Sequence, residues 1–253
     1  MRTLEGQATL QARTSHEIGV DDIHDELVVP NPFAQAILFF RGNAQGNEAP
    51  IRVIQGPKTQ LSYTDMVTVD PVHSEVFAPQ FRTDTILVFR RDVGGDVAPI
   101  RIIHGPKTKL DRPETISVDP SNDLLAVTTP KGVWFFNRTD NGDVAPRAIL
   151  MGPKSRLGGE NQEEARVVLY PEGKKIFVTG GLEWRVGGDL ENSFLGVWKY
   201  GDNGDVPPWA ILKSSRTTKF KTGSGLTINP KGKEVIMTAG GALVAYYLPE
   251  LFQ

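Results

Sequence analysis

The chain has 253 residues, of which 39% are hydrophobic and 23% charged, and its formal net charge is -2. This length allows one large β domain or two ordinary ones, and the near-neutral charge gives no overall attraction to nucleic acid or membrane. Because the sequence has no cysteine, disulfides, thiolate zinc sites and a thiol nucleophile are excluded.

The first residues, MRTLEGQATLQART, lack the apolar core of a signal peptide, and no run is long enough for a transmembrane helix. We therefore expect no membrane insertion. The expected location is cytoplasmic if the chain is complete, and periplasmic or secreted if a leader has been removed.

One phrase recurs along the chain. It reads GNEAPIRVIQGPKTQL from Gly46, GDVAPIRIIHGPKTKL from Gly95, GDVAPRAILMGPKSRL from Gly142 and, in a weaker copy, GDVPPWAILKSSRTTKF from Gly204. The intervals of 49 and 47 residues match the length of a propeller blade, and the third, of 62 residues, fits a blade with an insertion. Between turn signals lie short β-branched and aromatic runs without helical periodicity. The pattern predicts an all-β propeller of four-stranded antiparallel blades.

Each repeat contains four predicted strands, here called a (inner), b, c and d (outer). The inner strands EIGVD, MVTVD, TISVD, RVVLY and GLTIN indicate five blades. The chain opens with a segment that aligns with strand d, RTLEGQAT, and ends with strands a, b and c alone. We predict that these ends pair and close the propeller. A chain that lacked one repeat would have the same ends, so six blades are the alternative.

The predicted organisation is therefore a single β-propeller domain over residues 1–253. Its repeats lie at about 12–56, 61–105, 110–152, 158–214, and 220–253 plus 1–6.

The phrase GDVAPIRIIHGPKT, the VDP that ends strand a and the closing YYLPELF resemble the NHL-type β-propeller repeat proteins of bacteria. The resemblance covers essentially the whole chain. It implies an interaction domain, usually with six blades, and some members of the family bind protein or RNA on one face. Five repeats here depart from that number.

The histidines and aspartates of the a–b turns have a structural interpretation. His24 and His73 occupy the turn position held by Asn or Gly in the other repeats, which favours a left-handed backbone there. The aspartates of the VDP segments are expected to bond within their own turns. We expect the same of Asp96, Asp143 and Asp205, which follow glycines between strands c and d.

A candidate metal site precedes strand a, where gluconolactonase-like propellers hold a divalent cation. The weak candidate ligands are His16, Asp65 and Glu114. The position after strand b carries no acid and reads Pro30, Pro79, Thr128, Thr179 and Thr238. We therefore expect no catalytic residue, metal or cofactor, and a metal-dependent hydrolase or lactonase is the second alternative function.

Basic residues repeat after strand d. The GPKT position holds Lys58, Lys107, Lys154 and Arg216, with Ala8 at the N-terminal copy, and Lys109 and Arg156 follow close behind. These d–a loops are expected to share one face with the b–c turns, which add Arg82 and Lys131. The opposite face is expected to be acidic, because the a–b and c–d turns carry the aspartates. Such a division of charge steers charged partners.

The fourth repeat contains an insertion, TGGLEWRVGGDLENSFLG, between strands b and c. Trp184 and Arg185 in it are typical of interface anchors, and Phe33 and Phe81 occupy the matching turns of the first two repeats. We expect a non-enzymatic binding or scaffold module that contacts an acidic protein through its basic face and the 180–195 loop. RNA binding on the same face is the first alternative.

Overall fold

The computed structural model describes residues 2–13, 15–158, 165–180, 193–215, 217–218, 220, 225–239 and 241–253. The chain forms two compact units. Unit 1 comprises Met1–Pro113 and Thr139–Ala145, and unit 2 comprises Glu114–Arg138 and Pro146–Gln253. The described helices are 3-10 turns of three or four residues, and none of them is long enough to cross a membrane.

Five antiparallel meander sheets, the blades of a β-propeller fold, account for the strands. In each sheet, strands adjacent in sequence are hydrogen-bonded neighbours, as predicted. Unit 1 holds β1 Gly19–Asp21, β2 Glu26–Asn31, β3 Ala36–Arg41, β4 Arg52–Gln55, β5 Thr68–Asp70, β6 Glu75–Gln80, β7 Thr85–Arg90 and β8 Arg101–Ile103. Unit 2 holds β9 Ile116–Asp119, β10 Leu124–Thr129, β11 Gly132–Asn137, β12 Ala148–Leu150, β13 Val167–Tyr170, β14 Lys175–Gly180, β15 Phe194–Lys199, β16 Ala210–Lys213, β17 Leu226–Asn229, β18 Glu234–Ala239 and β19 Ala242–Tyr247.

Apolar side chains of neighbouring sheets form the cores of each unit. In unit 1, Val28 and Phe39 of the first sheet pack with Val76 and Leu87 of the second. In unit 2, one cluster joins the third and fourth sheets and another joins the fourth and fifth. Strands b and c are buried on both sides along most of their length in the first four sheets, which explains why they read as apolar runs instead of alternating ones.

The fifth residue of strand b determines whether strand a has three or four residues. In unit 2, Thr128, Thr179 and Thr238 donate their N–H groups to the carbonyl of the residue that precedes strand a, at 2.9–3.1 Å. Their hydroxyls accept that residue's N–H at 2.8–2.9 Å. Pro30 and Pro79 of unit 1 have no N–H to donate. Their inner strands, β1 and β5, accordingly have three residues instead of four.

Strands a, b and c of the fifth sheet are present as predicted. This sheet contains three strands, β17, β18 and β19, and the described residues add no fourth. The N-terminal segment bonds to the c–d loop of the first repeat, where Gly46 donates to Thr3 at 2.6 Å and Glu5 donates to Gly46 at 2.8 Å. The same parallel bridge joins strand d of each of the first three repeats to the glycine of the next one, as Ile54 with Gly95, so the segment has the bonding of an outer strand, as predicted. Leu243 of β19 is 77% exposed.

Candidate functional site

A tight 3-10 turn follows strand d in the first two repeats and carries a repeated lysine. The turns Pro57–Thr59 and Pro106–Thr108 contain Lys58 and Lys107, and Gln7–Thr9 has the same form at the N-terminus. In each, the threonine hydroxyl donates to the preceding glycine carbonyl at 2.6–2.7 Å. The residue after the turn is left-handed, as Lys109 is with a φ of 55°.

A side-chain oxygen from the next c–d loop caps each of these turns and the Lys154 turn of the third repeat. The backbone N–H groups of Lys58, Lys107 and Lys154 donate at 2.7 Å to the carboxylates of Asp96, Asp143 and Asp205 respectively. At the N-terminal copy, Ala8 donates in the same way to Asn47 at 2.8 Å. Each copy of the repeated phrase therefore takes part in two such contacts. The Asp or Asn near its start accepts a hydrogen bond from the preceding turn, and the lysine N–H of its own GPK donates to the Asp of the next copy.

This geometry corrects the predicted division of charge. We expected Asp96, Asp143 and Asp205 to bond within their own turns, on a face opposite the lysines. The c–d loops that carry them run along the preceding outer strand, as the parallel bridge of Ile54 with Gly95 shows, and reach the lysine turns. These carboxylates therefore lie at the same turns as the lysines.

The expected meeting of d–a loops with b–c turns holds within unit 1. Gln55 donates to the carbonyl of Ala34 at 2.8 Å, and Arg112 donates its N–H to the Asp84 carboxylate at 2.8 Å. Both contacts join a residue that follows or ends strand d to a b–c turn. The cations and aromatics of these two kinds of loop consequently lie at one end of unit 1.

Cations stack on aromatic rings at this end. The Arg82 guanidinium lies 4.4 Å from the centre of the Tyr63 ring, and Phe33 meets the same ring edge-on at 6.5 Å. Arg112 lies 5.7 Å over the ring of Phe81. We call Phe33, Tyr63, Phe81, Arg82 and Arg112, with the exposed Lys58, Lys107 and Lys109, the cation–aromatic surface of unit 1. Tyr63 and Arg112 were not among the predicted contact residues.

Unit 2 repeats one element of this pattern. Lys154 and Arg156 are exposed, and the Arg156 guanidinium lies 5.1 Å over the ring of Phe194. Three predicted contact residues, Arg216, Trp184 and Arg185, lie outside the described residues, as does most of the 180–195 loop.

Two of the weak metal candidates form a pair. His16 Nδ1 lies 3.0 Å from Asp65 Oδ2, and both residues belong to unit 1. Glu114 is a buried residue of unit 2. Within the described ranges, no group of three or more His, Asp or Glu side chains is close enough to hold a metal ion.

The a–b turn histidines bind the buried aspartates that precede them. His24 donates its N–H to Asp21 at 2.8 Å, and its ring nitrogen Nδ1 lies 2.9 Å from the same carboxylate. His73 and Asp70 repeat this arrangement. The left-handed residue is the next one along, Asp25 with a φ of 53°, so the predicted turn is present but its strained position is shifted by one residue.

Arginines join these turns to an acidic residue of strand b in unit 1. Glu26 Oε2 accepts from Arg52 at 2.5 Å and from Arg91 at 2.7 Å, and Arg91 also lies 3.2 Å from Asp21. Burial alone would raise the pKa of Glu26, but the hydrogen bonds and charges of the two arginines outweigh it and hold that pKa below its usual value.

Unit 2 contains a cleft of about 480 Å³ that the sequence analysis did not identify. It lies between the third and fourth sheets and is lined by residues of their a–b turns and c–d loops. Its signal in the sequence is a double departure from the repeat, where Leu124 and Ala148 replace the Glu and Arg of the first two repeats.

No family model matches this chain, and no curated protein sequence matches it. Among solved structures, the chain is similar to the Kuenenia stuttgartiensis hydrazine synthase, with a TM-score of 0.55 and 15% identity. The match covers 89% of this chain and 61% of that one, so the chain spans about three fifths of the length of the structure it matches. At this level of identity the likeness supports the β-propeller fold alone.

Proposed function

We propose that the protein is a non-enzymatic binding module that contacts an acidic protein partner through the cation–aromatic surface of unit 1. The observation that carries this proposal is the stack of Phe33, Tyr63 and Arg82. It places a guanidinium on an aromatic face beside a phenylalanine that is 70% exposed. The NHL-type resemblance supports the same class of function.

Tyrosine and arginine are the residue types that dominate the binding energy of protein interfaces. Stacking on Tyr63 limits the conformations of the Arg82 side chain, so less entropy is lost when a partner carboxylate binds it. An exposed Phe33 beside it supplies apolar area that a partner would remove from water. The site therefore combines an apolar anchor with an oriented cation.

The lysines give the surface its preference for acids. Lys58 and Lys107 are exposed, whereas the nearby carboxylates of Asp96 and Asp143 are engaged by backbone N–H groups. The ammonium groups can consequently pair with carboxylates of a partner and speed its association.

RNA is the second candidate, and the exposure of Phe33 favours it. A base can stack on an exposed phenylalanine while phosphates pair with the neighbouring cations. RNA affinity of this kind falls steeply with added salt, because counterions are released on binding.

The test compares two charge reversals in a quantitative pull-down from the native organism, with and without ribonuclease. Lys58→Glu with Lys107→Glu changes the proposed surface. Lys231→Glu with Lys233→Glu makes the same change in charge at an a–b turn of unit 2. We expect the first pair to abolish capture and the second to leave it unchanged. Unchanged capture by the first pair would contradict the proposed surface, and capture that ribonuclease abolishes would favour RNA.

A further inference from the structure

An ion pair fills the same place in each sheet of unit 1. The first residue of strand b is a glutamate and the outer strand supplies an arginine, so that Glu26 meets Arg52 at 2.5 Å and Glu75 meets Arg101 at 2.7 and 2.8 Å. The Arg52 side chain also covers the ring of Phe39, with its guanidinium 4.7 Å from the ring centre. The pair and its stem thus occupy the space above strand c.

The third sheet lacks both partners of this pair. Leu124 stands at the glutamate position of strand b, and Ala148 stands at the arginine position of strand d, paired with Phe135 as Arg52 is paired with Phe39. With these two short side chains, the place is occupied by the cleft of about 480 Å³, which the buried Phe135 lines.

The fourth sheet also has a small residue, Ala210, at the arginine position, but its space is filled. Lys175 replaces the glutamate, its ammonium lies 4.8 Å from the centre of the Trp209 ring, and it donates to the carbonyls of Leu251 and Gln253. Among the first four sheets, and within the part of the chain that the structure describes, the third is the one that has a cleft above strand c. In the other three, an ion pair or a lysine side chain fills this space.

The cleft has an apolar floor and a polar rim. Leu124, Phe135, Ala148 and Ile176 contribute to its floor. Arg147 and Lys174, both exposed, place cations at the rim beside Tyr200.

We propose that this cleft is a binding site for a small organic anion with an apolar body. The body would replace the aliphatic stems that the first two sheets place here, and the anion would pair with Arg147 and Lys174.

Asp202 also lines the cleft, but its carboxylate already accepts the N–H of Lys199 at 2.9 Å. Tyr200 donates its hydroxyl to Asp119 at 2.8 Å, so a ligand meets its oxygen as an acceptor. Burial and the Asp119 hydrogen bond raise the pKa of Tyr200, which keeps its hydroxyl neutral beside the anion.

The experiment uses benzoate and hexanoate as probes, with benzyl alcohol and 1-hexanol as their neutral counterparts. Binding to the full chain is followed by NMR titration, which reports the residues whose signals shift. Three variants are compared with the wild type. Leu124→Glu with Ala148→Arg restores the ion pair of the first two sheets, Ala148→Met fills the floor without new charge, and Arg147→Gln removes one cation.

We expect saturable shifts from the two carboxylates at Leu124, Phe135 and Arg147, and weaker binding of the alcohols. Arg147→Gln should lower carboxylate affinity about tenfold and leave alcohol affinity unchanged. Both filling variants should abolish binding of every probe. Ala148→Met keeps the test valid if the restored ion pair prevents folding. Absence of saturable carboxylate binding to the wild type, or binding that survives Ala148→Met, would overturn the proposal.

Discussion

Asp143 accepts a hydrogen bond at 2.7 Å from the backbone N–H of Lys107, thirty-six residues earlier in the chain. The bond joins the c–d loop of one repeat to the turn that ends the preceding repeat. Gly105, at the start of that turn, has a φ of 127°, and a Cβ there would lie 2.5 Å from the Asp143 carboxylate. The glycine, the lysine turn and the aspartate are therefore parts of one contact. This explains why the three recur together in the repeated phrase.

Removing the cap should destabilise unit 1. We expect Asp143→Ala to lower the free energy of unfolding by about 1 kcal/mol, because the Lys107 N–H loses its acceptor. Asp143→Asn is the matched control, since Asn47 makes the same bond to Ala8 in the first repeat. It should stay within about 0.5 kcal/mol of the wild type. Urea unfolding measures both changes, and equal losses for Ala and Asn would show that the hydrogen bond is not the cause.

The ion pairs of Glu26 should make stability depend on acid. Because the folded-state pKa of Glu26 is lowered, its contribution is complete above the ordinary value of 4.5 and is lost as the pH falls below it. Glu26→Gln should cost about 2 kcal/mol at neutral pH, where it removes the carboxylate that Arg52 pairs with and leaves Arg91 paired with Asp21 alone. The stabilities of variant and wild type should converge as the pH falls below 4.5, as followed by thermal unfolding at a series of pH values. If the difference in stability between Glu26→Gln and the wild type stayed constant with pH, the loss would come from packing and not from the charge of Glu26.

The hydroxyl of the strand b threonine should contribute to the stability of unit 2. Thr179 is buried and its Oγ1 accepts the N–H of Arg166 at 2.8 Å. Thr179→Val keeps the shape but leaves that N–H without its acceptor, so we expect a loss of about 1–2 kcal/mol in urea unfolding. Thr227→Val, at an exposed position of β17, is the control and should change stability little. Equal effects at both positions would contradict the role of the hydroxyl.

The last strand should exchange its amide hydrogens quickly. β19 pairs with β18 alone among the described strands, whereas β11 pairs on both sides with β10 and β12. Amides of β19 that point away from β18 should therefore exchange much faster than those of β11, as measured by hydrogen exchange and NMR. Equal protection along the two strands would show that another strand covers β19, as the sequence analysis predicted for the N-terminal segment.

Local signals were enough to predict the sheets, because four strands and their turns recur in a fixed order. Which residue of an a–b turn is left-handed could not be predicted from the repeat alone. The alignment of the repeats placed His24 in the turn, but the left-handed residue is Asp25. The role of Asp96 was missed for a different reason. Its partner, the N–H of Lys58, belongs to another repeat, and the path of the c–d loop along strand β4 has no local sequence signal.

The candidate surfaces show the same limit. Arg82 and Phe33 were predicted from their turns, but Tyr63, which lies between them in space, sits in a d–a loop with no repeated aromatic. The cleft follows from Leu124 and Ala148 together. Each substitution is visible in the sequence, yet their joint effect depends on strands β10 and β12 flanking β11.

The proposed contact surface is tested most directly by site-specific photo-crosslinking in the native organism. A benzophenone side chain replaces Phe33 in one variant and Leu243 in another, two positions that are 70% and 77% exposed. We predict that a partner protein is crosslinked from position 33 and not from position 243, and that Lys58→Glu with Lys107→Glu removes the adduct. Adducts from position 243 alone, or from neither position while the intact protein still captures its partner, would contradict the account.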